Sequence, residues 1–457
     1  MRAKRILLLL ALALAGCAPK LPAPEVTVKV SAYLPGQGGQ VAALPTAWWQ
    51  IFDNPALDRL EQSGLRANSD IAQAGAALAA ARDDARAADG AFLPQLVLGP
   101  SGYPDISRQS YPTGPNGYPP YTIYTLAGEI SYDPGLFGAR HFTFANGAAL
   151  AAYQAAELDV ARQSVTGNIA AAAIALAGDE AQIETTSRII ASEQRLLTLL
   201  QGEYADGAIP QLDVLQQQSS ILATQASLPA LRTQAQQQRD RLAVLTGSLP
   251  ASFTVPVPRL AELALPANIP VVLPSAYLQN RPDIRAALAQ VAAQHAALGV
   301  AVAHMYPDLS LSATGGYAAE LTSALFNTSS AFWLLAGNLL APLYEGGTLR
   351  AHKQAAQAQL AGALSAYHGA VLNAFAQAAD ALSAVQNGQD ALARASAAAQ
   401  TADRAYHLAA AQYRLGAVDY TTVLTAQTQA AQAALSQIQA RTTLLAAIAT
   451  LQSAMAN

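Results

Sequence analysis

The chain has 457 residues, of which 52% are hydrophobic and only 12% charged, with a formal net charge of −4. That balance is too apolar for a disordered chain and gives no electrostatic reason to expect a nucleic-acid partner. The single cysteine, Cys17, excludes disulfides within the chain. After the first residues, no stretch reads as long and apolar enough for a membrane-spanning helix.

Residues 1–16 read as a signal peptide. Arg2, Lys4 and Arg5 form a basic start, Ile6 to Ala15 an apolar run too short to span a bilayer, and Ala15-Gly16 a small-residue end. Cys17 follows directly, and the stretch resembles a bacterial lipobox, which implies lipid attachment at Cys17. Ala18 rather than Asp at the next position implies sorting to the outer membrane. Several acyl chains on one residue would hold the protein firmly, where one chain binds only marginally. Residues 17–54 read as a lipidated, extended N-terminal tether rich in Pro and Gly.

From 55 the chain falls into two halves, 55–246 and 275–457, joined by a Pro-rich linker at 247–274. Asn54-Pro55 is a helix start, and the pattern is helical to about Ala88. Phe92-Leu93-Pro94 breaks it. Residues 95–103 and 121–132 then read as strands. Tyr124, Leu126, Gly128, Ile130 and Tyr132 alternate with Thr125, Ala127, Glu129 and Ser131, a period of two. The residues between them, SRQSYPTGPNGYPP, read as a polar loop. The whole forms a hairpin over about 95–132. Residues 141–204 read as one long helix, with Ile183, Ile190, Leu197 and Tyr204 seven apart. A second helix covers 211–246, with a kink or break expected at Pro229.

The second half repeats the order. It has a helix from Ser275 to about Ala303, a hairpin over about 308–342, a long helix over 348–413 and a last helix over 420–456. Each long helix ends in an elbow, YADGAIPQLDVLQQQ or YRLGAVDYTTVLTAQ. Tyr204, Gly207, Val214, Leu215 and Gln218 recur as Tyr413, Gly416, Val423, Leu424 and Gln427 at a constant separation. The glycine reads as a helix stop, because φ > 0 costs glycine little. At ~1.5 Å per residue the segment 141–204 extends ~96 Å, and 55–90 with 211–246 together ~108 Å. Two short helices can therefore lie beside one long one, giving a rod with strands at one end and elbows at the other. The fold class read here is mostly α with a small β part. Four amphipathic strands cannot close a barrel alone in lipid, so copies of the chain, three for twelve strands, are the expected remedy.

Several motifs span nearly the whole chain: Trp48-Trp49 with Phe52 and Asn54-Pro55; Phe92-Leu93-Pro94; the two elbows; Arg281-Pro282-Asp283-Ile284-Arg285; Pro342-Leu343 with Gly346-Gly347. On these residues the chain resembles a lipoprotein of the outer membrane factor family, the TolC/OprM type, in its NodT-like efflux branch. The resemblance implies a TolC-like trimeric duct: a 12-stranded outer-membrane β-barrel, four strands per chain, above a long periplasmic helical barrel. It implies a homotrimer in outer-membrane lipid that extends into the periplasm. It further implies a periplasmic membrane-fusion adaptor and an inner-membrane RND-type pump, or an ABC exporter. The implied function is passive exit of small molecules and drugs. A duct for type I protein secretion is the alternative, and a non-porous lipid-anchored coiled-coil scaffold is a rival of another class.

No catalytic constellation is visible. His141, His295, His304, His352, His368 and His407 lack zinc-ligand spacing, Asp83-Asp84 reads as a solvated helix face, and neither an enzyme activity nor a cofactor is expected. In a trimer each elbow residue near the axis recurs three times, and converging carboxylates set local ion preference. Asp419 and Leu415 resemble the aspartate and leucine that close the periplasmic aperture in the family, and Arg414 is the candidate for an ion pair between neighbouring elbows. Asp206 and Asp213, with Gly207 and Gly416, are candidates for the gate or for adaptor docking. The competing reading makes the acids ordinary turn and N-cap residues.

Overall fold

The computed structural model describes residues 21–24, 47–98, 107–111, 121–266 and 281–455. Cys17, the segment 1–16 and most of the tether lie outside the described residues. The helices are α1 (Pro55–Ala67), α2 (Ser69–Gly90), α3 (Ala139–Ala205), α4 (Gln211–Leu245), α5 (Pro282–Ala303), α6 (Thr348–Arg414) and α7 (Tyr420–Met455). The strands are β1 (Gln95–Leu98), β2 (Ser107–Tyr111), β3 (Tyr121–Tyr132), β4 (Asp308–Ala319) and β5 (Ala331–Leu340). Both ends of α6 fall 209 residues after those of α3, 348 against 139 and 414 against 205. The chain divides into two compact units. One comprises 1–28, 76–156 and 286–369; the other comprises 29–75, 157–285 and 370–457.

The first unit carries the sheet. β3, β4 and β5 are successive antiparallel neighbours, and β1 and β2 pair with consecutive stretches of β3. The sheet is therefore four positions wide. Here the sequence reading needs correction: Ser107–Tyr111, read as loop, is strand, paired from Ser107↔Thr125 to Tyr111↔Tyr121. The polar composition concealed it, because a run of polar residues carries no local sign of a ladder partner.

A second correction concerns α5. By length and composition it is apolar enough to cross a membrane, which the sequence reading denied to any such stretch. Its apolarity has a packing reason. In the first unit Leu298 and Val302 pack with Ala356, Leu360 and Leu21. The Asn146 amide donates to the Ala293 carbonyl at 2.8 Å. Gly299 lies under the Phe142 ring, whose Cε1 sits 2.6 Å from where a Cβ would be.

In the second unit, Trp48, Trp49, Phe52, Leu57 and Leu60 are buried. Asn54 caps α1, accepting from the Ala56 and Leu57 amides at 2.9 and 3.1 Å. The helix read as continuous from Pro55 is broken at Asn68, whose φ of −69° and ψ of 134° are extended. Asn68 ends α1 by donating its amide N–H to the Gly64 carbonyl at 2.9 Å. It starts α2 by accepting from the Asp70 amide at 2.8 Å, while its own Nδ2 donates to the Leu245 carbonyl at 3.0 Å. An N-cap side chain here competes with helix continuation.

Pro229 does the opposite of what it suggests: α4 runs through it without a break. Its cost is one missing N–H. The linker is more than a spacer, since Leu260 and Leu263 are buried. The Ala264 amide bonds the Phe52 carbonyl at 3.1 Å, and the Arg441 guanidinium donates to the Leu263 carbonyl at 3.1 Å.

Candidate functional site

Strand register decides what the sheet can do. One row across it reads Leu96, Ile130, Ala313, Leu335, and the next of the same face reads Leu98, Gly128, Gly315, Trp333. The alternate rows read Gln95, Ser131, Ser312, Ala336 and Val97, Glu129, Thr314, Leu334. One face is thus almost wholly apolar and the other carries the polar side chains. On the apolar face Trp333 is 82% exposed and Leu335 71%, an apolar surface open to whatever surrounds it.

Two adjacent glycines on opposite faces differ in the space beside them. A Cβ on Gly316, which belongs to the polar face, would meet the Cβ of Ala127 at 2.8 Å, and Ala127 itself is 5% exposed. On the apolar face Gly315 has only the Phe332 carbonyl oxygen, at 4.0 Å. Gly316 faces Ala127 and Gly315 faces another glycine, Gly128, so only the polar-face position is closed to a side chain. β5 and the β1/β2 position are the sheet's outer strands.

The elbows lie in the second unit and share one geometry. Gly207 and Gly416 have φ of 75° and 71°. The next amide donates five residues back, Ala208 to Glu203 at 2.8 Å and Ala417 to Gln412 at 2.9 Å. The glycine amides reach the Tyr204 and Tyr413 carbonyls at 2.9 and 2.8 Å. This is the Schellman stop. The restarts differ. Pro210 precedes α4 with no side-chain cap. Asp419 caps α7, accepting from the Thr422 amide at 2.9 Å, the Thr422 hydroxyl at 2.7 Å and the Thr421 hydroxyl at 3.0 Å. These bonds, led by the Thr422 hydroxyl, hold the Asp419 carboxyl below its usual range. Asp213, in the first turn of α4, is raised by burial and by the Asp419 charge, so the two elbows' acids lie within electrostatic reach.

Leu415 is 83% exposed, and Arg414, Asp206, Gly207 and Gly416 are exposed beside it or on the companion elbow. Among the described residues no ion pair within the chain involves Arg414. Apart from Asp213, which is half-buried in the first turn of α4, the sequence-chosen residues form the exposed rim of the elbows, with Asp419 as its helix cap.

What holds the rim together was missed in the sequence. Leu200, Val214 and Tyr420 form a buried cluster, flanked by Leu197, Ile209 and Tyr413. The Tyr413 hydroxyl donates to the Glu203 carboxylate at 2.6 Å, and the Tyr420 hydroxyl to the Gln217 side-chain oxygen at 2.6 Å. Gln217 passes the connection on, donating to the Glu193 carbonyl at 3.0 Å. Glu193 is buried; one oxygen accepts from Ser220 and Thr224 at 3.1 and 3.2 Å. Burial raises its carboxyl, with both hydroxyls opposing. A signal for Glu193 existed. It stands three residues after Ile190, in line with Thr186 after Ile183 and Leu200 after Leu197, and all three of these positions are buried. Among the described residues no group of three or more His, Cys, Asp or Glu side chains could hold a metal ion.

The sequence profile described as outer membrane efflux protein matches residues 60–248 and 273–457. The pyoverdine export outer membrane protein OpmQ of Pseudomonas putida is 30% identical over 391 residues, 83% of this chain and 81% of that protein. Nodulation protein T of Rhizobium leguminosarum bv. trifolii is 27% identical over 382 residues, 82% of this chain and 80% of the relative. Among solved structures, the outer-membrane channel OprN superposes with a TM-score of 0.88 at 25% identity, covering 96% of this chain and 99% of that one. The open state of the Neisseria gonorrhoeae MtrE channel gives 0.86 at 22% identity, over 96% and 98% of the two chains. With its helix–hairpin–helix repeat and its sheet both matched, the chain has the TolC-like channel fold and belongs to the outer membrane efflux protein family.

Proposed function

We propose that three copies of this chain form the outer-membrane exit duct of a tripartite efflux system for small molecules. The observation that carries the reading is the sheet. Its apolar face suits lipid, and its polar face suits water. An open sheet edge in hydrocarbon leaves backbone groups unpaired at several kcal/mol each. Four strand positions per chain therefore call for copies, and three give a twelve-position barrel. The names of the relatives, among them an antibiotic efflux pump protein and a toluene efflux pump protein of Pseudomonas putida, favour efflux of small compounds over protein secretion.

In this reading Cys17 is acylated and holds the tether in outer-membrane lipid. A periplasmic adaptor and an inner-membrane pump of the RND type engage the elbow end. Leu415 and Asp419 line the closed aperture, and Arg414 pairs across neighbouring copies. Asp206, Gly207, Asp213 and Gly416 form the remaining gate or docking surface. Opening needs a partner with higher affinity for the splayed state, since a ligand shifts an equilibrium only by its differential affinity.

The test is purification of the full-length acylated protein from outer membranes, sizing in detergent, and conductance in planar bilayers. A trimer that conducts supports the duct. A monomer that never inserts would sink it.

A further inference from the structure

We infer that Glu129 gives the sheet-lined part of the duct a preference for cations, an inference that rests on the closed-barrel reading above. Glu129 stands in the body of β3, paired with Val97 on one side and Thr314 on the other. Its parity is that of Ser131 and Ser312, the polar set. The opposite parity carries the apolar face that suits lipid, so closure into a barrel with that face outward turns Glu129 toward the enclosed water. Its side chain is exposed, and among the described residues the strands around it offer no cation: β1, β3, β4 and β5 contain neither Lys nor Arg. The one cationic residue of the sheet, Arg108 in β2, falls at the register of Tyr124, the opposite parity.

The other acid of the polar set is Asp308, at the start of β4 opposite Leu340. It stands six positions along β4 from Thr314, ~20 Å at ~3.4 Å per residue. Glu129 therefore acts at its own level of the barrel, repeated once per copy. Uncompensated carboxylates around a confined aqueous path raise the local concentration of cations and exclude anions. The solutes favoured in transit are then small cations and organic compounds carrying a positive charge.

The experiment uses the full acylated protein in planar bilayers under a KCl gradient. Wild type is expected to reverse on the potassium side of zero. Glu129→Gln moves the reversal potential at least halfway to zero, Glu129→Lys carries it past zero, and Glu129→Asp retains the wild-type value. Thr314→Lys, a cation placed directly across the register, reproduces the effect of Glu129→Gln and serves if that variant fails to assemble. A conducting wild type whose reversal potential is unmoved by both Glu129→Gln and Thr314→Lys overturns the inference and leaves the duct standing. A wild type that assembles but does not conduct removes the duct, and this inference with it.

Discussion

Tyr413 and Glu203 tie the two elbows of one chain together: the phenol at the end of α6 donates to the carboxylate near the end of α3 at 2.6 Å. The carboxylate and burial both push the Tyr413 phenol up, burial foremost, so the bond stays intact across the whole neutral range. A bond to a charged acceptor contributes on the order of 1–3 kcal/mol. Tyr413→Phe keeps the ring in its contact with Tyr420, centroids 6.4 Å apart, and removes only the hydroxyl. The expected result is a higher open probability in bilayer recordings, matched by Glu203→Ala. The double variant should add little to either single one, because both remove the same contact. Additive effects would show that the two residues act separately.

Leu415 separates gating from stability. It is 83% exposed, so Leu415→Ala should leave thermal unfolding unchanged within ~0.5 kcal/mol. If it lines the aperture, single-channel conductance rises all the same. A variant indistinguishable from wild type in both measurements takes Leu415 out of the gate. Asp419 is expected to behave differently, because it caps α7. Its folded-state pKa is lowered, so the cap's contribution is present above the unfolded pKa and is lost as pH falls through the folded value. Asp419→Asn should abolish that acid-side loss while keeping an oxygen for the Thr422 amide, a difference visible in melting curves taken at several acidic pH values.

The long helices and elbows were legible because their signals are local. A glycine stop, a seven-residue seam and a repeat at constant separation need no knowledge of distant partners. The alternation in β3 was legible for the same reason. β2 was not, because the pairing of Ser107–Tyr111 with β3 leaves no mark in the local sequence pattern. The break at Asn68 was hidden in a run of helix-compatible residues, and its second anchor is Leu245, far along the chain. At the elbows, the exposed rim could be named from turn chemistry. The interior could not: Tyr204 and Tyr413 are equivalent in the repeat, yet only Tyr413 meets a carboxylate across the chain. Repeat symmetry predicts position, and the partner decides the role.

Gly316 and Gly315 are neighbours on opposite faces, and they should respond oppositely to the same change. A Cβ on Gly316 would lie 2.5 Å from the Ala127 Cα and 2.8 Å from its Cβ. Backbone cannot yield as a side-chain tip can, so Gly316→Ala should cost at least the ~1–3 kcal/mol typical of overpacking. The measurable result is a reduced yield of assembled protein in the outer membrane. A Cβ on Gly315 meets nothing closer than 4.0 Å, and Gly315→Ala should assemble at the wild-type level. Equal yields from the two variants would refute the close approach of Ala127 to Gly316.

Glu61 is a costly side chain for the fold to bury. It is fully buried in α1, and neither carboxylate oxygen has a hydrogen-bond partner. Burial, with a smaller contribution from the Asp58 charge, raises its pKa well above the ordinary 4.5. The folded state therefore holds the proton more tightly than the unfolded one. Stability is greatest below the unfolded pKa, where both states are protonated, and declines as pH rises toward and through the folded value. Glu61→Gln should flatten this slope without changing the side chain's size. Glu61→Leu should go further, because it removes the unsatisfied polar atoms altogether, a gain of about 1–3 kcal/mol. Chemical denaturation of the detergent-solubilised protein at pH 5 and pH 9 tests both variants. The wild type should lose stability between the two, and the Leu variant should lose less, the remainder coming from the raised carboxyl of Glu193. A wild-type protein equally stable at both pH values would mean that Glu61 finds a partner or water in the folded state.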